Sequence, residues 1–164
     1  MGRVAAAPTP IAVALGSNTG DRHAHLAAAV SGLRRFLDDI RVSRWRETPF
    51  EPVDGTDPGP QPPVLNGAVV GTTALDARAV LDRLQALESA AGRTRPFRGA
   101  ARTLDLDLIL YGTLVLREPG LEVPHPRFRA RLFVLEPLAE LAPDWVDPVT
   151  GRTISALLRA ARPS

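Results

Sequence analysis

The chain has 164 residues, 45% of them hydrophobic and 23% charged, which is typical of one folded domain with its own core. The 20 basic residues are all Arg and are nearly balanced by 18 acidic ones, so the net charge of +2 is not that of a nucleic-acid-binding protein. The lack of Lys excludes lysine phosphate sites and Schiff bases, and the lack of Cys excludes disulfides and thiolate chemistry. No apolar run reaches the roughly 18 residues of a membrane span and no signal peptide is visible, so we expect a cytoplasmic protein with no membrane partner.

The first elements follow a simple order. An apolar run at 11–15 predicts a buried strand, preceded by a loose tail at 1–9. The turn at 16–21 contains two Gly and precedes a helix capped by Asp21; such a turn can bind an anion, although a plain tight turn is the simpler interpretation. The predicted helix carries an apolar stripe of Leu26, Val30, Leu33, Leu37 and Ile40.

Residues 40–73 predict two strands separated by a long loop. The strands are placed at 40–48 and 64–73. The loop at 49–63 contains six Pro, and a loop of this length is typical of a binding loop or lid, the alternative being a plain surface excursion. Asn66 is polar inside an apolar run and therefore needs a hydrogen-bond partner.

A second helix is predicted from its cap Asp76 to Gly92, with Val80, Leu84, Leu87 and Ala91 as its apolar stripe. Gln85 and Glu88 lie off the centre of that stripe. Residues 93–102 then contain four Arg, which is either a solvated face or a set of phosphate ligands.

The most informative stretch follows at 102–112. Apolar and acidic residues alternate with a period of two, which predicts a strand with Asp105 and Asp107 on one face, about 6–7 Å apart. Two such carboxylates fit a pair of Mg²⁺ ions, but they are also compatible with an ordinary half-solvated strand.

The remaining chain predicts a hairpin return at 113–116 and helices at 132–141 and 153–161. The order of elements indicates an α+β fold with a ferredoxin-like β-α-β-β-α-β antiparallel sheet, helices packed on it and extra C-terminal helices, all in one domain at 1–164. The fold alone is equally compatible with an RNA-binding module or a ligand sensor. An RNA module would need exposed aromatics on its sheet, and aromatic residues are only 5% of this chain.

Six segments resemble the 6-hydroxymethyl-7,8-dihydropterin pyrophosphokinase family. They are Ala-Leu-Gly-Ser-Asn-Thr-Gly-Asp-Arg at 14–22, Leu-Asn-Gly-Ala at 65–68, 88–93, Arg-Thr-Leu-Asp-Leu-Asp-Leu-Ile-Leu-Tyr-Gly at 102–112, and Val-Pro-His-Pro-Arg at 123–127 with Phe-Val-Leu-Glu-Pro-Leu at 133–138. The resemblance implies transfer of pyrophosphate from ATP to the pterin hydroxymethyl group, releasing AMP. It also implies two Mg²⁺ ions and small-molecule substrates only. We expect a monomer.

The resemblance also implies site residues. Those expected to act in catalysis are Arg93, Arg102, Asp105 and Asp107, with the two Asp holding the metal ions. Those expected to bind ATP are Gln85, Glu88, Arg93, Arg95, Arg102, Leu108, His125 and Arg131. Those expected to bind the pterin are Thr48, Pro49, Val64, Asn66, Asp105 and Phe133, with Asn66 reading the amide edge and Phe133 stacking on the ring.

The chain departs from the family pattern in two places. The segment 98–102 reads Arg-Gly-Ala-Ala-Arg, without the Trp common in the family. Val64 occupies a position that is commonly aromatic, so we expect an aliphatic contact on one face of the pterin and weaker pterin binding. A family member that binds ATP without turnover is the alternative that these departures leave open.

Overall fold

The computed structural model describes residues 7–50, 59–92 and 103–163. Their strands are β1 (Thr9–Ser17), β2 (Asp38–Val42), β3 (Arg46–Thr48), β4 (Val64–Thr73), β5 (Asp105–Tyr111), β6 (Leu116–Glu118) and β7 (Leu121–Val123). Their helices are α1 (Arg22–Leu33), α2 (Ala77–Ala90), α3 (Leu132–Leu141) and α4 (Ile154–Ala161), with a 3-10 turn at Phe128–Ala130. The predicted α+β class with an antiparallel sheet is confirmed. Of the predicted N-terminal tail, residues 1–6 lie outside the described residues, and Thr9 already belongs to β1.

The main sheet has the strand order β2-β4-β1-β5, and β3 pairs with the other end of β4. All of these pairings are antiparallel. β6 and β7 form a separate two-stranded sheet.

Helices cover both faces of the sheet, because alternate residues of the strands are apolar on each side. The first face carries Val13, Val69 and Leu106 and packs against α1 and α2 in one core cluster. The second face carries Ala12, Ala68 and Leu110 and packs against α3, α4 and the 3-10 turn in another cluster. Ala is frequent on the second face, so α3 can approach the sheet closely.

The first helix ends earlier than its apolar stripe predicts. α1 stops at Leu33, and Ile40 lies in β2, so the prediction of one stripe through Ile40 was wrong. Leu37 is nevertheless buried in the same core cluster. The apolar spacing continued past the helix because the connecting turn and the next strand contribute to the same core.

The predicted strand at 40–48 is two strands, because the chain leaves the ladder at Ser43. The Ser43 hydroxyl accepts a hydrogen bond from the Ala68 amide at 2.8 Å, a contact that a regular strand would make through its main chain. Trp45 then packs against Gly67 of β4, where an added Cβ would lie 2.3 Å from the indole ring. The predicted return at 113–116 also differs, because β6 pairs with β7 and not with β5.

Asp147 connects the C-terminal segment to the 3-10 turn. Its side chain is completely buried and accepts hydrogen bonds from Arg129 Nη2 at 3.0 Å and Thr150 Oγ1 at 2.8 Å. Desolvation raises the pKa of Asp147, but the hydrogen bonds from Arg129 and Thr150 outweigh it and hold the pKa below its usual value.

We expect Asp147→Asn to lower the free energy of unfolding by about 2 kcal/mol, since it leaves the Arg129 guanidinium without its charged partner. Urea unfolding at pH 7 measures this loss. Because the pKa of Asp147 is lowered in the folded state, its contribution is present above the ordinary Asp pKa and disappears as the pH falls through the folded value. The difference between wild type and variant should therefore shrink in acid, and a constant difference down to pH 2 would contradict the assignment.

Candidate active site

Asp105 and Asp107 begin β5, the edge strand of the main sheet. Both are half-buried, and they alternate with the buried residues Leu104, Leu106 and Leu108. The predicted strand and its two faces are therefore confirmed. The leucines enter the first core cluster, so the two carboxylates face the opposite side, which is the side of α3.

The register aligns three residues in one row across this side of the sheet. Asn66 of β4 is opposite Gly16 of β1, and Gly16 is opposite Asp105 of β5. The two outer residues are two strand spacings apart, about 9.5 Å. A Cβ at Gly16 would lie 3.1 Å from Asn66 Oδ1, so glycine leaves a bare main-chain surface between an amide and a carboxylate.

The amide of Asn66 is held by β3. Its Nδ2 donates to Thr48 Oγ1 at 2.6 Å, so the partner expected for this buried polar residue is present. Thr48 is opposite Val64 in the ladder, and Pro49 follows it at the surface. Four of the predicted pterin residues are thus neighbours in the structure.

A surface cavity of about 560 Å³ adjoins these residues. Thr48 and Pro49 line it together with two residues that the sequence did not single out, Phe50 and Gln61. Gln61 Oε1 is buried and has no hydrogen-bond partner. Phe50 could have been predicted, because it is an aromatic residue directly after the Thr-Pro pair. No sequence pattern distinguishes Gln61 from the rest of the Pro-rich loop.

The turn after β1 holds the end of that loop. Asn18 Nδ2 donates to the Pro62 carbonyl at 3.3 Å, and Arg22 donates to the Pro63 carbonyl at 3.1 Å. Asp21 caps α1 by accepting from the Ala24 amide, as predicted. Asn18 therefore connects the turn to the segment that leads into β4.

His125 lies beside the outer edge of β5, where its amide donates to the Ile109 carbonyl at 3.0 Å. Burial, and then the charge of Arg131, lower the pKa of His125 from 6.5 to about 4, while Asp105 acts in the opposite direction. The ring is therefore neutral at pH 7. Its Nδ1 accepts from the Arg127 amide at 3.1 Å, so the proton resides on Nε2, which can donate to a ligand.

Arg131 and Phe133 lie at the start of α3, on the same side of the sheet as the two Asp. Arg131 is the residue before the helix, and its guanidinium carbon lies 5.5 Å from the centroid of the Phe133 ring. Phe133 packs against the edge of the second core cluster. One short segment on this side of the sheet thus carries both a cation and an aromatic ring.

α2 reaches the outer edge of β5 through Glu88. This carboxylate is buried and accepts from the Leu106 amide at 2.8 Å, between the two Asp in sequence. Glu88 lies one turn after the buried Leu84, so the helical period places it on the buried face of α2. The prediction that Glu88 lies off the centre of the apolar stripe did not anticipate its burial. Gln85 is exposed on the same helix. Leu108 is 5% exposed in the core, so a contact between it and a ligand would come from its main chain.

The lowered pKa of His125 predicts a pH-dependent stability. Below pH 6.5 the unfolded chain binds a proton that the folded chain binds only near pH 4, so stability is lost as the pH falls through this window. The full shift corresponds to about 3 kcal/mol, which solvent access to the ring reduces to about 1–2 kcal/mol.

Urea unfolding of wild type and His125→Asn at pH 7 and pH 4.5 measures this effect. The variant should lose less stability between the two pH values than the wild type. Equal losses would show that another group governs the titration.

The donor set of Asp105 and Asp107 suits Mg²⁺, which takes hard oxygen ligands. Among residues 7–50, 59–92 and 103–163 no group of three or more His, Asp or Glu forms a metal cage. Mg²⁺ commonly takes one or two carboxylates plus substrate phosphates, so a pair of carboxylates on one strand face fits this ion.

Three of the predicted site residues, Arg93, Arg95 and Arg102, lie outside the described residues. In the part of the chain that the structure describes, no helix is long and apolar enough to cross a membrane.

Comparison with known proteins shows the family of the chain. The family model described as 7,8-dihydro-6-hydroxymethylpterin-pyrophosphokinase matches residues 12–143. The 2-amino-4-hydroxy-6-hydroxymethyldihydropteridine pyrophosphokinase of a Synechocystis species is 42% identical over 149 residues, covering 89% of this chain and 73% of that protein. The protein of the same name from Pseudomonas aeruginosa is 41% identical over 148 residues, covering 90% of this chain and 89% of that one.

The fold is also found in a solved structure, a Plasmodium falciparum HPPK-DHPS chain, with a TM-score of 0.71 at 14% identity. The match covers 94% of this chain but only 44% of that longer one, and at this identity it supports the fold alone. The family match at residues 12–143 includes most of β1 and all of β4, β5 and α3. The chain is a diphosphotransferase enzyme and belongs to the 7,8-dihydro-6-hydroxymethylpterin-pyrophosphokinase family.

Proposed function

We propose that this chain transfers the pyrophosphoryl group of ATP to the hydroxymethyl oxygen of 6-hydroxymethyl-7,8-dihydropterin, giving the pterin diphosphate and AMP, as a Mg²⁺-dependent step of folate biosynthesis. The observation that carries the proposal is the row of Asn66, Gly16 and Asp105. It combines an amide, a flat main-chain surface and a carboxylate that also belongs to the phosphate side of the site.

The pterin binds over Gly16 in this proposal. The carboxamide of Asn66, oriented by Thr48, pairs with the amide edge of the pterin, and Phe133 stacks on its ring. Val64 gives only an aliphatic contact where the family commonly has an aromatic one. Pro49 and the cavity that it lines lie on the side of the site next to the Pro-rich loop.

The triphosphate of ATP binds along the outer edge of β5. His125 donates from Nε2 to a phosphate oxygen, and Arg131 supplies a positive charge next to it. Glu88 fixes the strand between the two Asp through the Leu106 amide, while Gln85 and the Leu108 main chain lie toward the nucleoside.

The reaction needs positioning and charge stabilisation more than covalent chemistry from the protein. The hydroxymethyl oxygen attacks the β-phosphorus in line, the bond from that phosphorus to the oxygen of AMP breaks, and the hydroxyl proton is released to solvent. Two Mg²⁺ ions held by Asp105 and Asp107 would neutralise the charge on the phosphate oxygens. Arg93, Arg95 and Arg102 of the Arg-rich segment are proposed to bind the phosphates, with Arg93 and Arg102 acting in catalysis.

The finer structural predictions fit the same proposal. The antiparallel order β2-β4-β1-β5 supports a ferredoxin-like sheet, and α3 and α4 are its C-terminal additions. We propose that the chain acts as a single-domain monomer in the cytoplasm on these two small molecules.

The test is AMP release from ATP and Mg²⁺, with and without 6-hydroxymethyl-7,8-dihydropterin. We expect AMP only when the pterin is present. Pterin-independent AMP would indicate a hydrolase. No AMP with ATP binding intact would indicate a binder without turnover and would overturn the proposal.

A further inference from the structure

Glu140, at the C-terminal end of α3, binds the segment that precedes the pterin residues. It accepts from the Arg44 amide at 3.0 Å, from Arg46 Nη2 at 2.8 Å and from Arg44 Nε at 3.4 Å. Desolvation raises the pKa of Glu140, but the hydrogen bonds from Arg44 and Arg46 outweigh it, and the pKa is lowered. Nearby, Arg41 donates to the Leu141 carbonyl at 2.6 Å. We name Arg41, Arg44, Arg46 and Glu140 the clasp.

The clasp acts on a short strand that is otherwise held by its pairing with β4 and by the ion pair of Glu47 with Arg22 at 3.2 Å. β3 is only three residues long and pairs with β4 alone, and strands this short are marginal by themselves. Arg46 is opposite Asn66 in the ladder, and Thr48, which accepts the hydrogen bond from Asn66, is two residues further along β3.

α3 is, in contrast, firmly packed. Val134, Leu135 and Leu138 are buried in the second core cluster. The helix spans ten residues, about 15 Å, from the clasp at one end to Phe133 at the other. A tether from Glu140 to β3 therefore fixes the Asn66 and Thr48 side of the site relative to the Phe133 side.

We propose that Glu140 is a positioning residue for the pterin site, which it acts on through Arg46 and β3 without touching the substrate. This inference rests on the proposed function. The phosphate-side residues Asp107 and His125 lie on and beside β5, which is separated from β3 by β4 and β1. Loss of the clasp should therefore affect the pterin and leave ATP binding unchanged.

The main experiment compares Glu140→Ala with Glu136→Ala. Glu136 lies one turn earlier on α3 and pairs with Arg162 at 3.6 Å, so its variant removes the same charge from the same helix without touching β3. We expect Glu140→Ala to raise the pterin KM roughly fivefold, the change that about 1 kcal/mol gives, with ATP KM and kcat within twofold of wild type. Glu136→Ala should leave all three constants unchanged.

A second readout does not depend on turnover. Trp45 lies between Arg44 and Arg46 and packs on Gly67, so release of the clasp should expose it. In a Trp145→Phe background, we expect acrylamide to quench Trp45 about twice as efficiently in Glu140→Ala as in Glu136→Ala, with both variants still folded by circular dichroism.

The outcomes separate the two proposals. Absence of wild-type AMP release would overturn the proposed function, and the inference with it. Normal wild-type turnover with an unchanged pterin KM in Glu140→Ala, or a rise that Glu136→Ala matches, would overturn the positioning role alone. Unchanged Trp45 quenching would also overturn it, because β3 would then be held without Glu140.

Discussion

Asp107→Ala is expected to lower kcat for pterin-dependent AMP release about a thousandfold. The carboxylate faces the side of the sheet on which the phosphates are proposed to bind, and loss of one metal ligand removes several kcal/mol of stabilisation of the developing charge. Asp107 is half-buried near the start of an edge strand, and its neighbour across the ladder is Ala14, so the substitution should not disturb the core. Steady-state assays at saturating ATP and pterin measure the effect.

Two further variants make the result specific. Asp107→Asn keeps the shape but removes the charge, and it should show a similar loss of kcat. Asp82→Ala, at an exposed position of α2, removes one carboxylate from the surface and should retain full activity. Activity of Asp107→Ala within tenfold of wild type, with the wild-type Mg²⁺ dependence, would show that the metal is held elsewhere.

Strand β5 could be predicted from the sequence because the two-residue period of its apolar residues matches the alternation of buried and half-buried side chains. Asp105 and Asp107 alternate with leucines that fill a core, and only a strand with two different faces explains that alternation. The need of Asn66 for a hydrogen-bond partner could also be predicted, because a polar side chain inside an apolar strand must be paired. The structure supplies that partner as Thr48.

The positions that the sequence misplaced depend on contacts between distant segments. Leu37 and Ile40 continue the spacing of α1, but they reach the core from a turn and from β2. The helical period places Glu88 on the buried face of α2, one turn after Leu84, but its partner is the Leu106 amide of an edge strand, which no local pattern encodes. The clasp joins residues about a hundred positions apart, as in the hydrogen bond from Arg41 to Leu141, so only the folded chain brings them together.

The row across β4, β1 and β5 depends both on local sequence patterns and on contacts between distant segments. Each of its members was visible in the sequence, Asn66 and Asp105 as candidates and Gly16 as part of a turn. Their alignment follows from two independent strand registers, which periodicity does not determine. The site on this face is thus a consequence of pairing, and a shift of β4 by one residue would turn Asn66 to the other face.

Asn66→Ala is therefore expected to lower kcat/KM for the pterin about a thousandfold while ATP affinity stays within threefold of wild type. Sites that read a substrate through paired hydrogen bonds lose most of their discrimination when the pairing group is removed. The ATP residues lie around β5, two strands away from Asn66, so nucleotide binding should not depend on it.

The partner variant Thr48→Val tests the orientation of the amide separately. It removes the acceptor at 2.6 Å from Asn66 Nδ2 but leaves the amide in place, so we expect a smaller loss, about tenfold in kcat/KM for the pterin. Thr72→Val, near the opposite end of β4, is the matched control and should behave as wild type, since Thr72 is next to β2 and far from the row. Equal losses of pterin and ATP affinity in Asn66→Ala would mean that the variant damages the sheet as a whole. A loss confined to the pterin would identify Asn66 as the residue that reads it.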